Sequence, residues 1–135
     1  MVFSILLVTN NCLAESKTYD CPQVFPRELI DLKKDYQNWQ TYVFYPIRLN
    51  GIGFMGGPPE MRQQLTPTSS KTIGDKHIET QVFSGAYPNG KWMSCVYGDG
   101  TYTLSKELDK SISKCSVTFT KKPRDPMVHI QNICE

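Results

Sequence analysis

The stretch Lys91-Trp92-Met93-Ser94-Cys95-Val96-Tyr97-Gly98-Asp99-Gly100-Thr101-Tyr102-Thr103-Leu104 reads as a β-hairpin. Alternation puts Met93, Cys95 and Tyr97 on one face and Trp92, Ser94 and Val96 on the other. Asp99-Gly100 suits the centre of a type I′ turn, which needs positive φ at both central residues. That turn sets Tyr97 opposite Tyr102 and Cys95 opposite Leu104. Both pairs fall on one face, so turn and alternation specify the same register.

Downstream, residues 115–120 alternate cleanly, with Cys115, Val117 and Phe119 inward and Ser116, Thr118 and Thr120 outward. A proline-bounded turn over 121–126 leads to a closing strand, 128–134, with Val128, Ile130 and Cys134 on one face. Upstream, 77–84 is a strand and 85–90 a turn. Residues 41–49 are rich in β-branched and aromatic types and predict a strand, interrupted at Pro46. Asn50-Gly51 is a second hairpin signal, with 52–55 returning. Pro58 to Leu65 predicts the clearest helix, because proline is tolerated in a first turn and Glu60 favours the positive end of the dipole. Met61 and Leu65 would then bury one stripe. Residues 66–76 read as a polar loop. The segment 22–32 suits either an edge strand at Val24 and Pro26 or one or two helical turns over 28–34. Trp39, in a polar connection, is expected to cover one end of the core. The fold class is mostly β (α+β): an antiparallel sheet or open barrel of hairpins, one short helix near 58–65 and two disulfides.

A chain of 135 residues with a formal charge of +2 supports a single modest core and gives no reason to expect nucleic-acid binding. Its densest basic spot, Lys121-Lys122 with Arg124, reads as solvated surface, with an acidic partner or phosphate as the minority reading. Residues 1–14 read as an export signal: the apolar run from Val2 to Val8 is too short to span a bilayer, and Cys12 and Ala14 are small residues at positions −3 and −1 of a cleavage site. A basic n-region is missing, so the true start of the signal is open. Asn11 argues against lipidation at Cys12. The mature domain is then 15–135, placed in the periplasm, with four cysteines: Cys21, Cys95, Cys115 and Cys134. An even count in an exported chain reads as two disulfides. Three connectivities are possible. The preferred one nests Cys95–Cys115 inside Cys21–Cys134, since Cys95 and Cys115 both point into the core from neighbouring sheet segments.

Catalysis finds little support. His77 and His129 are the two candidate general bases, and His129 alternates outward on its strand. A cysteine nucleophile needs a free thiolate, and all four mature cysteines are assigned to disulfides. The string Gly51-Ile52-Gly53-Phe54-Met55-Gly56 matches a dinucleotide fingerprint by letter, but it runs into Pro58-Pro59 without a βαβ unit. No enzyme, metal or cofactor is expected. What remains is surface. Trp and Tyr are favoured at binding hot spots, and the tentative partner-binding set is Ser84, Tyr87, Asn89, Trp92 and Asp99. Trp92 is either the core of a second layer or an exposed anchor. Tyr97 and Tyr102 read as a cross-strand core pair.

Several motifs occur together in order: Cys21-Pro22, Gly57-Pro58-Pro59-Glu60-Met61, Trp92/Cys95/Tyr97, Thr101/Leu104/Ser105, Cys115 and Ile133/Cys134. In this the chain resembles the small exported proteins named for a locus inside a type VI secretion island of Salmonella Typhi. The resemblance covers nearly the whole mature chain and departs over 29–39. It implies a periplasmic immunity protein that binds a cognate exported toxin acting on peptidoglycan and plugs its active site. Ser84-Gly85-Ala86-Tyr87 is similar, one residue short, to the Ser-Gly-x-x-Tyr loop of periplasmic lysozyme inhibitors, which makes a lysozyme-like enzyme the alternative partner. A third reading is an envelope protein with a structural or small-ligand role. Oligomeric state is left open.

Overall fold

A computed structural model describes residues 15–32 and 35–135. The expected export signal, with Cys12, lies outside them, as do residues 33–34 of the expected helical turns. In chain order the strands are β1 (Lys17–Thr18), β2 (Asp35–Tyr36), β3 (Trp39–Gln40), β4 (Leu49–Met55), β5 (Ser69–Ile73), β6 (Lys76–Val82), β7 (Trp92–Tyr97), β8 (Tyr102–Glu107), β9 (Lys114–Lys121) and β10 (Val128–Cys134). All pairings are antiparallel. One sheet has the order β1-β10-β9-β6-β5 and a second β4-β7-β8, while β2-β3 stands apart as a ribbon. The architecture is two open antiparallel sheets, not a closed barrel.

The hairpin register is the expected one: Tyr97 pairs with Tyr102 and Cys95 with Leu104. Thr101 N–H donates to the Gly98 carbonyl (3.2 Å), and the central residues Asp99 and Gly100 have φ of 55° and 92°. This is the sign pattern of a type I′ turn, which glycine adopts without a Cβ penalty. Met93, Cys95 and Tyr97 enter the core with Ile52 and Phe54 of β4 and with Cys115, Val117 and Cys134 of the larger sheet. Asn132 is also buried there. Its side-chain amide donates weakly toward Met93 Sδ (3.9 Å) and Cys134 Sγ (3.5 Å), so sulfur atoms serve as its nearest acceptors.

The disulfides are Cys21–Cys95 and Cys115–Cys134, not the nested pair expected. The reason is register. Cys115 lies directly opposite Cys134. The neighbouring Lys114/Glu135 pair exchanges both backbone hydrogen bonds, so Cys115/Cys134 falls on a non-hydrogen-bonded position, where side chains approach most closely. Cys95 has Ile52 and Leu104 as its in-sheet neighbours and meets Cys21 from outside its own sheet. The N-terminal segment is held there by the Phe25 N–H to Ile47 carbonyl bond (2.8 Å) and the Leu49 N–H to Gln23 carbonyl bond (2.9 Å). Proteolysis of the unreduced protein is expected to yield cross-linked peptides containing Cys21 with Cys95 and Cys115 with Cys134. A Cys95–Cys115 peptide in mass mapping would contradict this topology.

Four other expectations are corrected. Asn50-Gly51 is not a hairpin turn: β4 runs straight through it, with an irregularity in register between Leu49 and Gly51. The strand expected over 41–49 is absent up to Arg48, whose bridge to Val24 uses the N-terminal segment instead. The helix of 58–65 is one 3-10 turn, Pro59–Met61, ended by Arg62 at φ 54°. Beyond it the Leu65 N–H donates to the Phe54 carbonyl (2.8 Å) and the Gly56 N–H to the Gln63 carbonyl (2.9 Å). Two helical turns nucleate poorly, and the open edge of β4 offers these residues backbone partners. Met61 is accordingly exposed and Leu65 half-buried. The loop of 66–76 contains β5, a polar edge strand paired to β6. At the N-terminal side, Arg27–Leu29 forms one 3-10 turn.

Candidate functional site

The predicted partner-binding residues separate into two places. Tyr87, Asn89 and Trp92 come together at the start of β7, beside the exposed Ser84. The Trp92 indole N–H donates to the Asn89 carbonyl (3.1 Å), so the ring is half-buried and held by its own turn. Gly90 makes this possible: at φ +85°, a Cβ there would stand 2.5 Å from Glu107 Oε1 and 3.0 Å from Trp92 Nε1. Tyr87 packs edge-on against Phe83, with Lys91 Nζ 5.7 Å from the Tyr87 ring centroid. A shallow cavity of about 560 Å³ lies against this turn and Glu107–Lys110. Asp99 is at the other end of the six-residue strand β7, about 20 Å away at the usual rise per residue. Its carboxylate accepts a hydrogen bond from the Asn50 amide (3.0 Å).

Around Asp99 the structure gathers residues that the sequence did not single out. Phe44, Ile47, Arg48, Asn50 and Asp99 line one depression. Phe44 is 87% exposed and Tyr42, packed edge-on against it at 5.2 Å, is 78% exposed. Trp39, expected over the core, is instead 73% exposed on the β2-β3 ribbon, opposite an exposed Tyr36. Exposed aromatics packed on one another, as Tyr42 and Phe44 are, are characteristic of protein contact surfaces.

Arg48 and Asn50 also form one wall of a cleft of about 700 Å³. The β5-β6 and β9-β10 turns form its other wall, held together by the Lys121 N–H donating to the Asp75 carbonyl (3.0 Å). Leu49, Phe119, Met127 and Val128 give it an apolar floor, and Arg48, Lys76 and Lys121 surround it. The sequence showed Lys121 as part of a basic spot but could not show that Arg48 and Lys76 join it. Asp125, in the β9-β10 turn, is already engaged. Its carboxylate accepts from the Met127 N–H (2.9 Å) and lies 3.0 Å from His129 Nε2, and these contacts hold its pKa below the ordinary value. His129 faces outward, as expected, and His77 lies against Thr72 Oγ1 (3.0 Å) and Glu79 (3.4 Å). Neither histidine touches a cysteine sulfur in any described contact. Among the described residues no group of three or more His, Cys, Asp or Glu side chains is placed to hold a metal ion, and no helix is long and apolar enough to cross a membrane.

The described surface thus presents exposed aromatics and a group of cations on a disulfide-stapled scaffold. No curated protein and no solved structure matches the chain. The family model described as type VI secretion system Tli immunity protein matches residues 42–135, from the exposed Tyr42 to the final residue. That match spans well over half of the sequence and contains the whole β4-β7-β8 sheet, four of the five strands of the larger sheet, every cleft residue but Gln23 and three of the four disulfide cysteines; the chain belongs to the type VI secretion system Tli immunity protein family.

Proposed function

We propose that the chain is a periplasmic immunity protein that binds a cognate type VI toxin delivered to the cell envelope and blocks it without a catalytic step. The observation that carries this reading is the family match over 42–135. Three features support it. Residues 1–14 carry the pattern of a cleaved export signal, leaving 15–135 as the mature domain. Two disulfides suit an oxidising compartment. A scaffold stapled in this way has little ordering cost on binding. Ser84, Tyr87, Asn89, Trp92 and Asp99 remain proposed contact residues, now divided between the two ends of the hairpin.

The toxin's target is proposed to be peptidoglycan, following the resemblance in the sequence motifs. The test is a deletion strain exposed to the exported effector encoded beside the gene. Cells lacking the protein are expected to lyse, and cells producing it in the periplasm to survive; equal survival of both removes the immunity reading. Osmotic support separates the target classes. Rescue as intact spheres indicates a wall-cutting toxin. Lysis that persists, with membrane lipids cleaved, keeps the immunity role and discards peptidoglycan.

A further inference from the structure

We infer that the cleft between the two sheets is the toxin-docking surface, and that its occupant is an acidic segment of the toxin flanked by apolar side chains. This deepens the proposed immunity function and rests on it. The first argument is charge. Arg48, Lys76 and Lys121 line the cleft, and none of them makes an ion pair with another described residue. Asp75 is the one carboxylate among the described lining residues, while Asp125 nearby is occupied by the Met127 N–H and His129. Unpaired cations converging on one recess raise the local concentration of anionic partners and speed their approach.

The second argument is the floor. Leu49, Phe119, Met127 and Val128 form an apolar base under those cations, which a free inorganic anion would leave uncovered. A carboxylate with apolar neighbours covers both. The third argument is continuity. Arg48 and Asn50 belong both to the cleft and to the depression that holds Phe44, and Phe44 leads to Tyr42. Cations and exposed aromatics thus form one surface extending beyond the cleft mouth, as a protein partner requires and a small anion does not. The occupant would touch β4 of one sheet and the β5-β6 and β9-β10 turns of the other.

The experiment measures binding of the purified neighbouring effector to the disulfide-intact mature protein and to three variants. Arg48→Glu and Lys121→Glu are each expected to weaken binding by about tenfold or more, mostly through a slower on-rate, and to flatten its salt dependence. Lys106→Glu makes the same charge change on β8, at an exposed residue that lines neither the cleft nor the cavity beside Trp92, and is expected to bind like the unaltered protein. Thermal melts of all four confirm folding, and Lys121 lies at a strand end, where replacement leaves the core untouched. Unchanged affinity in both cleft variants, or an equal loss in Lys106→Glu, overturns the docking surface. So does binding of the cleft to phosphatidylglycerol vesicles or inorganic phosphate with the effector held elsewhere. If the unaltered protein protects cells while both cleft variants protect equally well, the docking surface fails and immunity stands. If the unaltered protein does not protect, the immunity reading fails and takes the docking surface with it.

Discussion

Replacing Cys21 and Cys95 together by serine is expected to lower the unfolding free energy by about 4 kcal/mol, against about 3 kcal/mol for Cys115 with Cys134. The difference comes from the chain each bridge closes. Cys21–Cys95 spans a sequence separation of 74 and Cys115–Cys134 one of 19, so the first removes more freedom from the unfolded chain. The two loops do not overlap, so their chain-entropy losses should add in the quadruple variant, with any departure reporting the core that the two bridges share. Guanidinium melts of the two double variants without reductant measure both losses. A larger loss from Cys115/Cys134 would mean that the cross-strand bridge, not the long loop, dominates. The two removals should also differ in function. Cys115–Cys134 joins strands already paired along their whole length. Cys21–Cys95 fastens the segment that carries Phe25 and leads to the exposed aromatics, so its loss should weaken toxin binding beyond what stability explains.

How much of this was legible in the sequence depends on the range over which each feature is decided. The 92–104 hairpin was legible because two local signals, alternation and a turn with positive φ at its centre, had to agree. The strands 115–120 and 128–134 were legible from alternation and the proline-bounded turn between them, but no local signal set their register. The disulfide pairing was not. Facing the core is a property that all four cysteines share, and what selects partners is cross-strand register, which placed Cys134 opposite Cys115. Asn50-Gly51 carries the same local turn signal as Asp99-Gly100, yet it lies within a strand because β7 and the 23–25 segment supply partners on either side. Pro58 to Leu65 has a first-turn proline and an early acid that suit a helix start, but two turns of helix compete poorly with an open strand edge. At the site, Trp92 was visible as an aromatic beside a turn. The cleft was not, because Arg48, Lys76 and Lys121 come from separate segments and only the packing of the two sheets brings them together.

The same long-range dependence makes Tyr97 the most sensitive single side chain of the hairpin. It is fully buried, faces Leu49 on one side and Tyr102 on the other, and meets the Phe25 ring edge-on at 5.4 Å. Its hydroxyl donates to the Pro22 carbonyl at 2.7 Å, so one residue joins the hairpin, β4 and the segment beside Cys21. Tyr97→Ala is expected to cost about 3–5 kcal/mol, as truncation of a large buried aromatic does. Tyr97→Phe keeps the ring and should cost about 1 kcal/mol, the net value of one hydrogen bond. Alkaline pH separates the two contributions. Burial raises the Tyr97 pKa above the ordinary 10.0. The unfolded chain therefore releases this proton first. The contribution of Tyr97 is fully present below about pH 10 and is lost as pH rises from there through the folded-state pKa. Urea melts over that range should show stability falling more steeply in the unaltered protein than in Tyr97→Phe, which has no proton to lose at this position. Parallel curves would mean that Tyr97 ionises as easily in the folded state as in the unfolded chain, and that its hydroxyl is not held in the core against Pro22.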